Sequence, residues 1–327
     1  MILTNKTNVP RLFFEAMEQL YNNHPKMLDD AFSATELLKP TKLVYLKRNM
    51  KEEDLKEVDI QEAMDLILGT MVHKGLETVF KNRSDCTSEK TLCIEFEVKT
   101  SFGVEKFKWV GTPDIVWEDE NGDLWLIDWK TARQWSIDRQ REGSDTYWKD
   151  QSYIYAHFLE NIIGKRPKGA IFLGIMKDKM KSGINWEDLS SMPLQWVEYD
   201  LSDREYEQKV LEKARQKVAS VKNIENGLES LPECNEEDRW QSPARWGTKR
   251  TDGKRWSYFD SKEEAQAYIN GLKLKPVKGV LPTYEVREFP SEPRRCMAHC
   301  ECINGCKQGQ KLVDDFLKSI KAKDESN

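Results

Sequence analysis

Long apolar runs are the first feature that this 327-residue sequence lacks. No stretch approaches the roughly 18 consecutive apolar residues that a membrane-spanning helix needs, so we expect no membrane association. The first residues, MILTNKTNVPRLFFEAMEQL, also lack the basic segment and the apolar run of a signal peptide. The sequence therefore predicts a cytoplasmic protein.

Histidine and excess positive charge are also scarce. The sequence has only 4 histidines, and none lies in a motif typical of Ser-His-Asp or Cys-His catalysis. The 51 basic and 56 acidic side chains give a formal net charge of −5, which argues against a protein that coats nucleic acid through uniform basicity. An enzyme that acts on nucleic acid is not excluded, because it can gather acids at a metal site and bases in a groove.

The sequence does contain an alternation of helical and strand-like segments. Apolar spacing predicts helices at residues 13–22 and 60–80, and Ser33 is placed to cap a helix that holds Leu37 and Leu38. Alternating polar and apolar residues predict consecutive antiparallel strands, followed by further strands between helices. The predicted strands are 92–100, 106–119, 123–131, 169–177 and 194–201, and the later helices are 148–161 and 203–224. These elements indicate a mixed α/β unit.

The stretch GTPDIVWEDENGDLWLIDWKTA, residues 111–132, predicts a hairpin that carries chemistry. Its second strand is apolar enough to be buried, yet Asp128 and Lys130 lie two residues apart and so share a face. Gly122 suits a three-residue loop, 120–122, that needs a residue in the left-handed region. With that loop the register sets Asp114 opposite Asp128, whereas a two-residue Asn-Gly turn would send Asp114 to the other face.

Two opposed carboxylates on a buried sheet are unfavourable unless they share a proton or a cation, and oxygen ligands select Mg²⁺ or Mn²⁺. Lys130 on the same face could orient water or neutralise charge on a phosphate. For this motif alone, the alternative is a surface hairpin with an exposed Asp–Lys ion pair.

Two helices add polar residues at suitable spacing. Gly69 lies one turn before His73, so another element can approach closely and the imidazole can reach the same cation. Gln151 and Tyr155 are four residues apart on one helix face, where an amide and a phenol can contact a nucleotide or a phosphate. Each pattern alone is also typical of a structural histidine or of core packing.

In this order, the motifs resemble those of the PD-(D/E)XK nuclease superfamily, specifically its RecB-like branch, which includes CRISPR-adaptation nucleases and many phage exonucleases. The resemblance covers roughly residues 30 to 225. The motifs are GxxxH (Gly69, His73), GxxD (Gly111, Asp114), DxKT (Asp128, Lys130, Thr131) and QxxxY (Gln151, Tyr155).

The resemblance implies a restriction-endonuclease-like α/β core, with a mixed central sheet flanked by helices, and a bound Mg²⁺ or Mn²⁺. The implied metal ligands are His73, Asp114, Asp128 and the backbone carbonyl of Trp129. The implied catalytic set is Lys130, Asp114, Asp128, Gln151 and Tyr155. The family often has a further acid on an earlier strand, for which Glu95 and Glu97 are both candidates.

The activity implied is metal-dependent hydrolysis of DNA phosphodiesters by a phage-type exonuclease. Such an enzyme would act on DNA with a free end or a single strand, in replication, recombination or degradation, and in the host cytoplasm if phage-encoded. The alternatives are a structure-specific or restriction-type endonuclease on the same core, or a non-catalytic DNA-binding module.

The C-terminal region concentrates cysteine. Cys296, Cys300, Cys302 and Cys306 lie within eleven residues, which in a chain without a secretion signal indicates a metal or cluster site. RecB-like relatives often hold a [4Fe-4S] cluster with three C-terminal cysteines and one distant cysteine. Cys296, Cys300 and Cys306 match the three, and Cys234 is the distant candidate. In those relatives the distant cysteine precedes the nuclease core, so a Zn²⁺ site from the same thiols is the alternative.

Basic and aromatic residues alternate between Cys234 and the cysteine cluster. This pattern suits a single strand, because cations contact phosphates and aromatic rings stack on bases. The alternative is a small tryptophan core with a solvated basic face. The candidate nucleic-acid-binding residues are Arg239, Trp240, Arg245, Trp246, Arg250, Arg255 and Trp256.

The composition predicts three segments. Residues 1–230 form the nuclease core with its N-terminal helices, and residues 231–312 form a small subdomain rich in Cys, Trp and Arg. A short helix capped by Asp260 belongs to that subdomain. Residues 313–327 form a C-terminal helix and tail.

Overall fold

The protein, seen as a computed structural model, is described over residues 2–22, 31–179, 185–272 and 281–325. The chain divides into two compact units. The first comprises Met1–Tyr45 and Glu57–Leu231, and the second comprises Leu46–Lys56 and Pro232–Asn327. The two predicted segments 231–312 and 313–327 therefore belong to a single unit, except that Leu231 lies in the first unit.

The helices account for most of the predicted helical segments. They are α1 (Arg11–Asn22), α2 (Thr41–Asn49), α3 (Ile60–Phe80), α4 (Gln134–Glu142), α5 (Tyr147–Ile163), α6 (Arg204–Glu225), α7 (Lys262–Gly271) and α8 (Lys307–Glu325). α4 has no counterpart in the sequence prediction, because its polar composition gives little apolar periodicity. Among these described helices, none has the length and apolar character needed to cross a membrane.

The strands of the first unit are β1 (Ile2–Thr4), β2 (Ala31–Ser33), β3 (Glu57–Asp59), β4 (Cys86–Ser88), β5 (Leu92–Thr100), β6 (Gly103–Gly111), β7 (Ile115–Glu118), β8 (Leu124–Ala132), β9 (Gly169–Met176) and β10 (Leu194–Asp200). A five-stranded sheet has the order β10-β9-β8-β7-β4. Its β8 and β9 are parallel, and its other neighbours are antiparallel. The sheet is therefore mixed, as predicted.

A second sheet, in the order β2-β6-β5, carries the long β5–β6 hairpin, and β1 pairs with β3 in parallel. The predicted continuous strand 106–119 is wrong, because the chain leaves one sheet at Gly111 and enters the other at Ile115. The break falls on the GxxD motif and places Asp114 immediately before the first residue of β7.

Helix α5 lies at the centre of the first unit and is buried on most sides. It contacts β5, β8 and α6, so both sheets share one core. Trp148 of α5 stacks on Phe172 of β9 at 5.3 Å between ring centroids, and Phe158 meets Trp109 of β6 edge-on at 5.3 Å. Helices thus flank mixed sheets, which confirms the restriction-endonuclease-like fold class.

The second unit contains β11 (Arg245–Arg250), β12 (Ser257–Phe259) and β13 (Tyr284–Phe289), which form an antiparallel sheet in the order β12-β11-β13. The sequence did not predict this sheet, because its strands are short and highly charged. A π-helical turn, Arg295–His299, precedes α8.

Two predicted helix caps are wrong. Helix α7 is capped by Ser261 rather than Asp260, since Ser261 Oγ accepts a hydrogen bond from the backbone N–H of Glu264 at 3.1 Å.

Ser33 Oγ accepts a hydrogen bond from the backbone N–H of Glu36 at 3.0 Å, but this bond closes a turn and not a helix. The next helix begins only at Thr41.

Candidate metal centre and active site

The hairpin that carries the DxK motif has the predicted loop. The backbone N–H of Asp119 donates to the carbonyl of Asp123 at 2.9 Å, which closes a loop of residues 120–122. Gly122 has φ of 78°, the left-handed conformation that glycine adopts at low cost. Loop length and the position of glycine therefore set the register of β7 against β8.

That register brings two acids together. Ile115 pairs with Ile127, so one further step sets Asp114 opposite Asp128, as predicted from the loop. Both carboxylates are buried, at 8% and 6% exposure. Asp114 Oδ2 accepts the backbone N–H of Trp129 at 2.7 Å, which ties the end of β7 to β8.

His73 reaches this pair from α3. Its Nδ1 lies 3.2 Å from Asp114 Oδ1, and this contact raises the pKa of His73. The helix comes close to β8 because Gly69 has no side chain: a Cβ there would lie 3.3 Å from Thr131 Oγ1. The GxxxH and DxKT motifs are therefore in direct contact.

Glu89 is a site residue that the sequence analysis missed. Its Oε1 lies 4.0 Å from His73 Nδ1, and its backbone N–H donates to the carbonyl of Asp114 at 3.0 Å. One ligand atom from each of His73, Glu89 and Asp114 falls within 4.8 Å of the others. Burial and the nearby Asp114 raise the pKa of Glu89, so the group is suited to sharing a cation.

The two acids proposed from the sequence lie elsewhere. Glu95 and Glu97 are exposed side chains on β5, where they stand opposite Lys108 and Lys106 of β6. Neither belongs to the group of His73, Glu89 and Asp114. The structure thus brings Glu89, and not a residue of β5, to the position of an additional acid.

Asp128 and Lys130 form an ion pair through Asp128 Oδ1. Burial is the main reason that the pKa of Asp128 rises, to about 6. Burial also opposes the charge of Lys130, but the carboxylates of Asp128 and Asp114 outweigh it and raise the lysine pKa. The Lys130 ammonium also lies 5.6 Å from the ring centroid of Phe172.

Gln151 and Tyr155 line the other side of Asp128. Gln151 Nε2 donates to Asp128 Oδ2 at 3.2 Å, and Tyr155 Oη donates to the carbonyl of Thr112 at 3.3 Å. Both side chains are buried, and Gln151 Oε1 has no hydrogen-bond partner among the described residues. These contacts position the carboxylate and the strand end.

Gly111 is needed for the same packing, since a Cβ there would lie 2.5 Å from Tyr155 Cε1. The predicted catalytic residues and the three predicted side-chain metal ligands therefore converge on one site. Trp129, whose carbonyl is the fourth predicted ligand, packs its ring against Phe80 at 5.8 Å.

The donor set fits a hard divalent cation. It offers the imidazole of His73 and the carboxylates of Glu89 and Asp114, whose ligand atoms lie within 4.8 Å of one another, and the register sets the buried Asp128 opposite Asp114. Oxygen-rich sites of this kind bind Mg²⁺ or Mn²⁺.

The cysteines lie in the second unit, around the start of α8. Gln308 accepts the backbone N–H of Cys234 and donates to its carbonyl, each at 2.9 Å. A Cβ on Gly309 would lie 3.5 Å from Cys306 Sγ and 3.7 Å from Cys296 Sγ. Burial raises the pKa of Cys300, which also interacts with the charges of Cys296 and Cys306. The four candidate ligands are therefore neighbours.

The seven candidate nucleic-acid-binding residues do not share one surface. Arg239 donates to the carbonyl of Cys234 at 3.2 Å, and the ring of Trp240 packs beneath the Arg295 guanidinium at 4.2 Å. Both therefore support the cysteine region.

The other five candidates lie on or beside the three-stranded sheet. Trp246 and Arg250 alternate with Arg245 along β11, so they point to the opposite face from Arg245. Arg255 is exposed in the β11–β12 loop, next to the half-buried Trp256.

Comparison with known proteins yields one family match. The family model described as the PD-(D/E)XK nuclease superfamily matches residues 11–307. None of the curated proteins matches the chain. Among solved structures, "Crystal structure of SSO0001" aligns at TM-score 0.42 and 17% identity, covering 62% of this chain and 82% of that one.

Proposed function

The chain belongs to the PD-(D/E)XK nuclease superfamily, whose members are metal-dependent nucleases, and on that premise we propose that it is a RecB-like exonuclease that degrades DNA from a free end. The observation that carries the proposal is the convergence of His73, Glu89, Asp114 and the Asp128–Lys130 pair at one strand end. The motif order supports the RecB-like assignment and a phage-type role in replication, recombination or degradation.

His73, Glu89, Asp114 and Asp128 would hold Mg²⁺ or Mn²⁺, with the carbonyl of Trp129 as a further proposed ligand. A bound divalent cation would lower the pKa of water and stabilise negative charge on the phosphate.

The chain's own residues supply the remaining interactions. Lys130 carries a fixed positive charge beside the acids, suited to a non-bridging phosphate oxygen in the transition state. Gln151 holds one oxygen of Asp128 and the Lys130 ammonium pairs with the other, so the carboxylate cannot rotate freely. Tyr155 fixes the segment that bears Asp114 through Thr112.

The decisive experiment compares end-labelled linear DNA with a closed circle, with Mg²⁺ or Mn²⁺, for the wild type, Asp128→Ala and Lys130→Ala. Degradation of the linear substrate alone, lost in both variants, is the expected result. Lys209→Ala, which removes a lysine paired with Glu205 on the exposed face of α6, is the matched control and should retain activity.

Cleavage of the circle would replace the exonuclease with an endonuclease on the same core. Absence of cleavage from both substrates, with DNA binding retained, would indicate a non-catalytic DNA-binding module. Activity that survives both site substitutions would refute the site assignment.

For the cysteine region we propose a [4Fe-4S] cluster held by Cys234, Cys296, Cys300 and Cys306. Thiolates suit iron and zinc alike, so anaerobically purified protein provides the test. An absorbance band near 400 nm that is lost in Cys300→Ser but kept in Cys93→Ser would support the cluster. Colourless protein with stoichiometric zinc would contradict it.

A further inference from the structure

The three-stranded sheet of the second unit has two different faces, and α7 covers one of them. Tyr268 of α7 packs on Phe259 at 5.1 Å between ring centroids, and the ammonium of Lys262 lies 5.3 Å from the ring of Trp246. Ala265, on the same helix, is fully buried. This face therefore forms the small core of the sheet.

The strand register defines the residues of the opposite face, here called the open face. Residues directly opposite one another in an antiparallel pair point to the same side. Gly247 pairs with Tyr258 and with Arg287, and Arg245 pairs with Phe289. Alternation along β11 puts Arg245 on the same side as Gly247. The side chains of Tyr258, Arg287, Arg245 and Phe289 therefore point away from α7.

Aromatic rings cover the centre of the open face. A Cβ on Gly247 would lie 2.6 Å from Phe289 Cε2 and 2.9 Å from Trp256 Cε3, so the two rings rest directly on the glycine backbone. Tyr258 packs edge-on against Phe289 at 5.2 Å between ring centroids, and the residue is 52% exposed. The open face thus presents a partly exposed aromatic surface held in a fixed position.

Cations surround these rings. The Arg287 guanidinium lies 5.4 Å from the ring of Phe289, and the Lys249 ammonium lies 4.8 Å from that of Trp256. Arg245 is exposed at one end of the same face. Glu285, which pairs with Lys249 at 3.2 Å, is the only acid that the described strands contribute to this face.

We propose that the open face binds a single-stranded polynucleotide, with bases stacked on Tyr258 and Trp256 and phosphates contacting Arg245 and Arg287. A single strand has unpaired bases that can stack on aromatic rings, and its phosphates can contact the neighbouring cations at the same time. The inference deepens the proposed DNA-degrading function and rests on it only for the choice of DNA as the first probe. It also extends the sequence prediction to Tyr258 and Arg287, and it excludes Trp246 and Arg250.

The test measures binding of the full chain to a fluorescent oligothymidylate of about 12 nucleotides, a length within the usual range for one such site. The solution contains EDTA, so that cleavage cannot occur. Tyr258→Ala should weaken binding about tenfold, since one stacking contact is lost. Tyr258→Phe keeps the ring and should bind as the wild type does.

Tyr268→Ala is the matched control, because it removes an exposed tyrosine, 41% accessible, from the opposite side of the sheet. It should leave binding unchanged. Equal weakening by Tyr258→Ala and Tyr268→Ala would indicate general damage to the sheet and would overturn the proposal, as would wild-type binding by Tyr258→Ala.

Arg245→Gln tests the phosphate contacts. It should reduce the slope of log affinity against log salt by about 0.7, the value for one phosphate contact on a single strand. An unchanged slope would refute the contact between Arg245 and a phosphate. Oligouridylate distinguishes RNA from DNA as the strand, and tighter binding to a duplex of equal length would refute the single-strand assignment.

The outcome is separable from that of the nuclease proposal. Wild-type protein that binds the single strand but degrades no DNA would leave the open face supported and the exonuclease refuted. If the wild type degrades DNA but Tyr258→Ala binds the oligonucleotide as the wild type does, the nuclease proposal would be supported and the open-face proposal would be refuted.

Discussion

Lys130 and the buried Asp128 form an ion pair on one face of β8, with the ammonium against one carboxylate oxygen and Gln151 on the other. Burial alone would favour the neutral carboxyl group, as the raised pKa of Asp128 indicates. The lysine therefore has two roles, because it keeps the ligand charged before a cation arrives and is available to the phosphate afterwards.

Lys130→Met should separate these roles. The substitution retains the aliphatic volume and removes the charge, so we expect nuclease activity to fall at least about 100-fold. In metal-free protein it should also lower the free energy of unfolding by up to about 3 kcal/mol near pH 8, where an unpaired buried carboxylate is costly. The cost should be smaller near pH 5, where Asp128 protonates. Chemical denaturation at the two pH values measures the difference, and equal losses would contradict the pairing role.

Glu89→Gln should weaken the cation site selectively. Removal of one carboxylate ligand should lower Mn²⁺ affinity at least about tenfold, since charge count governs the binding of hard cations. Calorimetric titration of Mn²⁺ in the absence of DNA provides the measurement. Glu95→Gln is the control, because Glu95 is exposed on β5, and it should retain wild-type affinity. If Glu95→Gln weakened Mn²⁺ binding and Glu89→Gln did not, Glu95 rather than Glu89 would be the additional metal ligand.

The difference between these two acids explains how far the sequence could predict the site. The place of Asp114 opposite Asp128 follows from a short loop and one glycine, so local chemistry was sufficient. Glu89 reaches the site because β4 pairs with β7, with Ser88 opposite Ile115. Nothing local in a three-residue strand predicts that pairing, so the acid could not be identified from its neighbours.

The sheet of the second unit shows the same limit. Alternating Arg and Trp residues indicated a nucleic-acid surface, but the pattern did not reveal which face α7 covers. Trp246 and Trp256 both follow the same alternating pattern in the sequence. Trp246 nevertheless belongs to the face that α7 covers, and Trp256 belongs to the open face. Helices α3 and α5 were predictable because long apolar periodicity is a local property.

Gly111→Ala should disrupt the contact between the GxxD motif and α5. The new methyl group would lie 2.5 Å from Tyr155 Cε1 and 3.1 Å from Phe158 Cε2, and neither ring can move freely in a packed core. We expect a loss of about 1–3 kcal/mol in unfolding free energy, typical of overpacking, together with lower activity. Gly75→Ala is the control: no atom lies within 4 Å of the new Cβ, so the exposed helical site should gain up to about 1 kcal/mol. Thermal unfolding of both variants tests the contrast, and a neutral Gly111→Ala would contradict the close packing.

A charged network joins α5 to α6. Glu160 accepts hydrogen bonds from Arg204 and from Arg166, the latter at 3.0 Å. The same two arginines pair with Glu207, which is 1% exposed. Hydrogen bonds from Arg204, and then from Arg166, lower the pKa of Glu160 to about 2.

This shift predicts the acid sensitivity of the fold. In the unfolded chain the pKa of Glu160 returns to about 4.3, so its stabilising contribution is complete above that value and is lost as the pH falls toward 2. Glu160→Gln should therefore lower the unfolding free energy by on the order of 1 kcal/mol at neutral pH, after allowance for solvent screening, and by progressively less below about pH 4. Glu205→Gln, in an exposed pair with Lys209, should change stability little at any pH. Urea denaturation from pH 7 to pH 2 measures both curves; a Glu160→Gln deficit that stays constant across this range would show that the carboxylate charge is not what joins the two helices.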